Sequence, residues 1–108
     1  MKINKKPKSA SRKGDLAEYY AVTWLWDNGY EVFKNCGCDG LIDLVVRDPE
    51  GNIKLVDVKT AGLKKRTNQK SHWQSKSTRT PEQVKSDVRF LLFIPETRKL
   101  RWVKHREK

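Results

Sequence analysis

Two short apolar runs, Leu41-Ile42-Asp43-Leu44-Val45-Val46 and Leu55-Val56-Asp57-Val58-Lys59-Thr60, each carry an aspartate in their interior. Both runs are rich in β-branched residues and read as strands. Between them, Asp48, Pro49 and Gly51 supply the residues of a tight turn, so the chain is expected to fold back on itself as an antiparallel hairpin. Side chains alternate along a strand. Asp57 and Lys59 therefore share a face about 6–7 Å apart, while Val56 and Val58 face the other way into apolar packing. On the first run Asp43 opposes Ile42 and Leu44 in the same manner. Folding the hairpin brings Asp43 beside Asp57, and two carboxylates that close raise each other's proton affinity unless a cation compensates.

The rest of the chain supplies a frame for that hairpin. Over Asp15 to Asn28, Leu16, Tyr20 and Trp24 with Ala17, Ala21 and Leu25 recur at three- and four-residue spacing, and Asn28-Gly29 provides a left-handed stop, which predicts a helix. Tyr30 to Phe33 begins a first strand. Thr80-Pro81-Glu82-Gln83 reads as a helix start, with threonine as N-cap, proline at the first helical position and glutamine placed for a capping box. That helix must be short, because Arg89 to Ile94 and Leu100 to Val103 read as two more strands around a turn at residues 95–99. Helix, three strands, helix, two strands favours an α/β (α+β) fold with a mixed sheet and helices packed on it.

A chain of 108 residues fits one domain, residues 1–108, with a modest core. Any chemistry is then expected on the core fold itself. The formal charge of +11 points to a polyanionic partner, nucleic acid first and an anionic membrane surface second. No apolar run approaches the ~20 residues that span a bilayer, so no membrane segment is expected and the protein is expected to be soluble and intracellular, cytoplasmic or nucleoid-associated. The charge is segregated: residues 1–14, 61–79 and 98–108 hold 18 of the 24 basic residues and one of the 13 acids. Residues 1–13 read as a flexible basic arm and 61–79 as a long basic loop. Such a division, acids at the centre and cations at the rim, suits a metal-dependent nuclease, although a lysine-rich end alone serves equally as a solubilising tail.

Magnesium is the cation that fits two carboxylates, since it takes hard oxygen ligands and completes its shell with water and substrate phosphate. Lys59 beside it would orient or deprotonate an attacking water and neutralise charge in the transition state. Each residue alone has a plainer use. An Asp-x-Lys pair on a strand also forms a solvated ion pair, Glu18 also serves as a solvent-facing helical residue, and Asp15 also serves as a helix N-terminal charge. The conjunction of helical acid, strand acid, hairpin and acid-x-lysine in a basic chain favours the metal site.

Glu18, Asp43 and Asp57-Val58-Lys59 together resemble the PD-(D/E)XK nuclease superfamily, and the element order resembles its restriction endonuclease-like αβββαβ core. The resemblance covers nearly the whole chain from Arg12 to Val103. Residues 12–35 are similar to the opening of archaeal Holliday-junction resolvases and of small stand-alone endonucleases that include some group I intron homing enzymes. Ile42 stands where the motif has proline, and Asp57 where it often has glutamate. The resemblance implies Mg²⁺-dependent hydrolysis of DNA leaving a 5′-phosphate, with Mn²⁺ able to substitute. It also implies that Glu18, Asp43 and Asp57 form the metal and catalytic set with Lys59, and that Gln83 is the polar residue some members carry on the second helix. A capping role serves Gln83 equally.

DNA contacts are expected from Arg12, Lys13, Lys64, Lys65, Arg66, Lys70, Lys76 and Arg79, with Trp73, and more weakly His72, able to stack on bases. Trp73 serves equally as packing under the loop. Trp24, Trp26 and Trp102 are assigned mainly to the core or to a subunit interface, with Trp24 and Trp26 on different helix faces. Cys36 and Cys38 lack a second pair for zinc and read as reduced loop thiols. Because one centre cuts one strand, a symmetric homodimer or higher oligomer is expected. The lack of an added recognition domain favours reading DNA shape, branched or four-way, while the basic loop leaves room for site-specific reading. The rival is a basic nucleic-acid-binding module without catalysis, and a nuclease of single strands or RNA is a further alternative.

Overall fold

The computed structural model describes residues 10–37, 40–64, 72–75 and 77–105. Helix α1 (Ala10–Asp27) is followed by β1 (Glu31–Lys34), β2 (Leu44–Arg47) and β3 (Ile53–Thr60). A small pair, β4 (Gly62–Lys64) and β5 (His72–Gln74), precedes α2 (Pro81–Lys85), β6 (Val88–Ile94) and β7 (Lys99–Trp102). Five strands form one sheet in the order β1-β2-β3-β6-β7. Only β3 and β6 run parallel, so the sheet is mixed, as expected. A parallel pair needs a crossover. Here β4, β5 and α2 supply it.

Helix α1 ends where the Asn28-Gly29 signal places it. Tyr30 N–H donates to the Leu25 carbonyl at 3.0 Å and Gly29 N–H to that of Trp26 at 3.0 Å, a Schellman closure that needs the left-handed Gly29 (φ 83°). A Cβ at Gly29 would also meet Pro49 Cγ at 3.2 Å. The buried stripe is Ala17, Ala21 and Leu25, with Tyr20 and Trp24 flanking it. It packs on Leu44, Val46, Val56, Leu91, Phe93 and Leu100, with Val58 and Trp102 at the margin. Each fully buried leucine or phenylalanine of this set contributes roughly 1.5–3 kcal/mol. Tyr20 stacks on Phe93 with ring centroids 5.2 Å apart, which ties α1 to the C-terminal end of β6.

Three expectations are corrected. Helix α1 begins by Ala10, so Arg12 and Lys13 lie in helix rather than on an arm. The ends of the basic segment pair as β4 and β5, with Leu63 opposite Trp73 and Lys64 opposite His72. Strand β2 begins at Leu44, leaving Asp43 just before it. Trp24 and Trp26 lie on different helix faces as expected: Trp26 is exposed, whereas Trp24 sits edge-on to Trp102 at 6.3 Å. The short α2 forms as expected: Thr80 and Gln83 make the full capping box, with proline in the first turn.

Candidate active site

The hairpin of β2 and β3 is zipped from its turn to the Leu44–Val56 pair and opens beyond it. At that fork Asp43 keeps one ladder bond, from its N–H to the Val56 carbonyl at 2.9 Å. Its next acceptor is not backbone. The carboxylate oxygen Oδ2 accepts from Val58 N–H at 2.7 Å, standing in for the carbonyl that β2 no longer offers. Asn35 holds the other side of the segment, donating from its backbone N–H to the Asp43 carbonyl at 2.9 Å and from Nδ2 to the Ile42 carbonyl at 2.9 Å. Asp43 is therefore positioned by both neighbouring strands although it belongs to neither.

Asp57 projects from β3 into this fork and is 8% exposed. Its Oδ2 accepts from Gln83 Nε2 at 2.9 Å and lies 3.2 Å from Lys59 Nζ. Gln83 is itself buried and committed on every side. Its Nε2 also donates to the Leu41 carbonyl at 3.1 Å, and its Oε1 accepts from Thr80 N–H at 3.0 Å. The capping role and the site role anticipated as alternatives are thus one role: the cap fixes the rotamer that presents Nε2 to Asp57.

The electrostatics of the fork follow from its crowding. Burial, then the hydrogen bond with Asp57, push the Asp43 carboxyl up to about 7, against the lowering effect of Val58 N–H. Glu18, on the inner side of α1, is also raised, first by burial and then by Asp15 and Asp57, while Lys34 opposes the shift. Glu18 and Asp43 line one cleft of about 480 Å³ together with Asp15, Lys34 and Asn35. Lys34 lies 4.8 Å from the Tyr19 ring centroid, at the rim of that cleft.

These distances separate the expected set into two tiers. Asp57 raises the proton affinity of Asp43, Lys59 and Gln83 touch Asp57, and Glu18 adds its charge from α1 through space. Among the described residues no three His, Cys, Asp or Glu side chains stand close enough to hold a metal together, so Glu18 does not complete the three-carboxylate ligand set expected of it. The donor chemistry still suits a hard cation. Two neighbouring carboxylates offer the hard oxygen donors that Mg²⁺ takes.

The fold has a counterpart among solved proteins. The fold is similar to that of a bacterial homing endonuclease, I-Ssp6803I. The two superpose with a TM-score of 0.62 at 25% sequence identity, over 88% of this chain and 64% of the other. This chain therefore spans less than two thirds of that neighbour's length. No family model and no curated protein matches the chain.

The expected nucleic-acid contacts are placed unevenly. Arg12 and Lys13 are exposed in the first turns of α1. Lys65, Arg66, Lys70 and Lys76 lie outside the described residues, as do the side chains of Lys64, His72 and Trp73. Arg79 is away from the fork, with Nη1 donating to the Val88 carbonyl at 3.3 Å and lying 3.9 Å from Asp87 Oδ1. Cys36 is free and exposed; Cys38 lies outside the described residues. No helix among the described residues is long and apolar enough to cross a membrane.

Lys34, Asn35 and His105 are the residues that sequence reasoning passed over. Asn35 had a signal, since asparagine directly after a strand and two residues before a glycine commonly closes a turn through its side chain. Its Oδ1 indeed accepts from Gly37 N–H at 2.8 Å.

Proposed function

We propose that the chain is a metal-dependent DNA endonuclease of the PD-(D/E)XK type, with its centre at the β2–β3 fork. The observation that carries this reading is the Asp43–Asp57 pair: neighbouring carboxylates, Asp43 held by Val58 N–H and Asp57 by Gln83 and Lys59, with Asp43 pushed up to about 7. Structural proteins rarely maintain such a pair, because like charges in a half-buried site are costly. The likeness to a homing endonuclease supports DNA as the substrate.

In this reading Asp43 and Asp57 hold Mg²⁺, with Mn²⁺ as a substitute. A cation there supplies positive charge to the phosphate oxygens and acidifies water at the site. Lys59, anchored on Asp57 at 3.2 Å, holds the attacking water or stabilises the negative charge that accumulates on the phosphate. Gln83 keeps Asp57 from rotating away. Glu18 adds negative potential from α1 and orders water around the ion. Lys34, across the cleft, meets the incoming backbone.

Cutting both strands requires two centres, and we assign the second to a symmetric partner copy. Exposed Tyr19, Trp26 and Phe33 give such a partner apolar surface to cover.

The test is nicking of supercoiled plasmid and of synthetic four-way junctions, with Mg²⁺ or EDTA, by the native chain and Asp57→Ala. Nicking that needs Mg²⁺ and vanishes in the variant supports the enzyme. Tight binding without cutting on DNA, single strands or RNA supports a binding module instead.

A further inference from the structure

A second cavity lies on the same face of the sheet as Asp57 and Lys59, toward β7. It measures about 710 Å³ and has Val84, Phe90 and Val103 among its apolar lining. Arg79, Arg101, Lys104 and His105 also line it, as do the hydroxyl residues Ser77 and Thr78, and none of the described residues lining it is acidic. Another cavity, at the turn end of the sheet, differs: it mixes Asp48, Glu50 and Asp87 with Lys54 and Arg89.

Register fixes where this cavity stands relative to the fork. Lys59 pairs with Leu92, and Leu92 with Arg101, so these three form one row across β3, β6 and β7. At about 4.8 Å per strand, Arg101 lies roughly 10 Å from Lys59 along the sheet. Phe90 separates the two regions. Lys59 Nζ is 5.4 Å from its ring centroid on one side, and the His105 ring is edge-on at 5.3 Å on the other.

The cationic groups are held in place. The Phe90 N–H donates to His105 Nε2 at 3.0 Å, which leaves the proton of the neutral imidazole on Nδ1 as a donor. Arg79 is fixed by the Val88 carbonyl, and its side chain is only 10% exposed. Arg79, which also faces Asp87 at 3.9 Å, lines the cavity with Arg101, Lys104 and a neutral imidazole that donates, a set that favours an anion.

We infer that this cavity is a phosphate subsite that grips the DNA strand a few nucleotides from the phosphodiester at the fork, using Arg79, Arg101, Lys104 and His105. The inference rests on the nuclease reading for the position of the cut. The spacing agrees: roughly 10 Å exceeds the ~3.4 Å of axial rise per nucleotide, so the subsite takes a phosphate other than the scissile one. The subsite fixes strand direction across the fork, because the row Lys59–Leu92–Arg101 gives the backbone one track. Ordering of the strand on both sides of the scissile bond is what positions it for in-line attack.

The test measures binding without cleavage. Fluorescence anisotropy of a labelled duplex in EDTA, across roughly 50–200 mM salt, compares the full chain, Arg101→Gln/Lys104→Gln and, as a control at the far strand, Arg47→Gln. The double variant is expected to bind about ten- to thirtyfold more weakly, with its salt slope reduced by about 2, since each lost phosphate contact removes ~0.9. The control is expected to stay within about twofold. In the unaltered protein, the His105 ring resonances are expected to shift on adding the duplex and not on adding adenosine monophosphate. Affinity and slope equal to those of the native chain, or a static His105 signal, overturn the subsite. A His105 response to the mononucleotide alone marks a free-nucleotide site and overturns the strand assignment. Mg²⁺-dependent nicking that persists while binding ignores the pair leaves the nuclease reading standing without the subsite. Binding that depends on the pair in a protein that cuts nothing does the reverse.

Discussion

The β2–β3 hairpin has an aspartate at each end, and the two have opposite fates. At the turn, Asp48 Oδ1 accepts from Glu50 N–H at 3.0 Å and Asn52 N–H at 2.9 Å, and Lys54 Nζ lies 3.8 Å from Oδ2. Those backbone donors, Asn52 first, hold its carboxyl below the usual range. At the fork, Asp43 meets burial and a second carboxylate, and its carboxyl is raised to about 7. The residue type is the same, and the neighbours decide whether the charge is welcome. Asp48 stabilises the fold in its ionised form, whereas the fork keeps an acid that the fold alone would rather have neutral.

The largest expected effect comes from exchanging those fates by mutation. Asp43→Asn and Asp57→Asn should each reduce Mg²⁺-dependent nicking by at least about a thousandfold, on the scale of losing an electrostatic group that acts on the transition state. Their melting temperatures should stay level or rise, because a repulsive pair is relieved. Asp48→Ala should do the opposite, lowering the melting temperature while the folded fraction keeps its nicking rate. Plasmid nicking beside thermal melts reads both. If Asp48→Ala abolished cutting in folded protein, or if Asp57→Asn left it intact, the contrast would fail.

Gln83 sharpens the comparison at smaller amplitude. Gln83→Glu keeps the acceptor for Thr80 N–H but replaces the donor to Asp57 with a charge. Nicking should fall about ten- to a hundredfold, the range found when groups that orient metal ligands are removed, with the required Mg²⁺ concentration raised. A purely capping residue would change the melt and leave the Mg²⁺ requirement untouched.

Stability against pH separates the two ends further. The folded pKa of Asp43 is raised, so the metal-free folded state binds more protons than the unfolded chain, and its contribution to stability falls as pH rises from about 4 to about 7. The amplitude is on the order of 1–2 kcal/mol once solvent screening of this half-buried group is discounted. For Asp48 the sign reverses: its contribution is present above the unfolded carboxylate pKa and is lost as pH falls through its depressed value. Melts of Asp57→Asn in EDTA should lack the loss between about 4 and 7; an unchanged profile would contradict the pairing. The smallest effect expected is from Gly29→Ala, about 1 kcal/mol or somewhat more, because alanine must adopt the left-handed φ against Pro49.

Much of this was legible in the sequence, for reasons that differ by element. The α1 stripe, its Gly29 stop, the five sheet strands and the Thr80 cap all rest on local rules, periodicity and turn chemistry, and they appear within a few residues of where those rules put them. The β4–β5 pair left no such trace, because its strands are three residues long among lysines and are defined by pairing across the loop. Asp43 was expected inside a strand; the apolar run begins at Leu41, but the ladder breaks where the side chain itself becomes the acceptor. The Gln83–Asp57 contact joins residues 26 apart in sequence, so no spacing rule chooses between the cap and the site. His105 lay in a lysine-rich tail that looked like solvated charge until β7 carried it back to Phe90.

The central claim is that the Asp43–Asp57 pair exists to take a divalent cation. Calorimetric titration of Mg²⁺ into the metal-free protein near pH 6.5, repeated in two buffers of different ionisation enthalpy, tests it without any DNA. Binding of Mg²⁺ with release of up to one proton, abolished in Asp57→Asn, is the expected result. Heats that show no binding, or binding with the same proton release in Asp57→Asn, would contradict it.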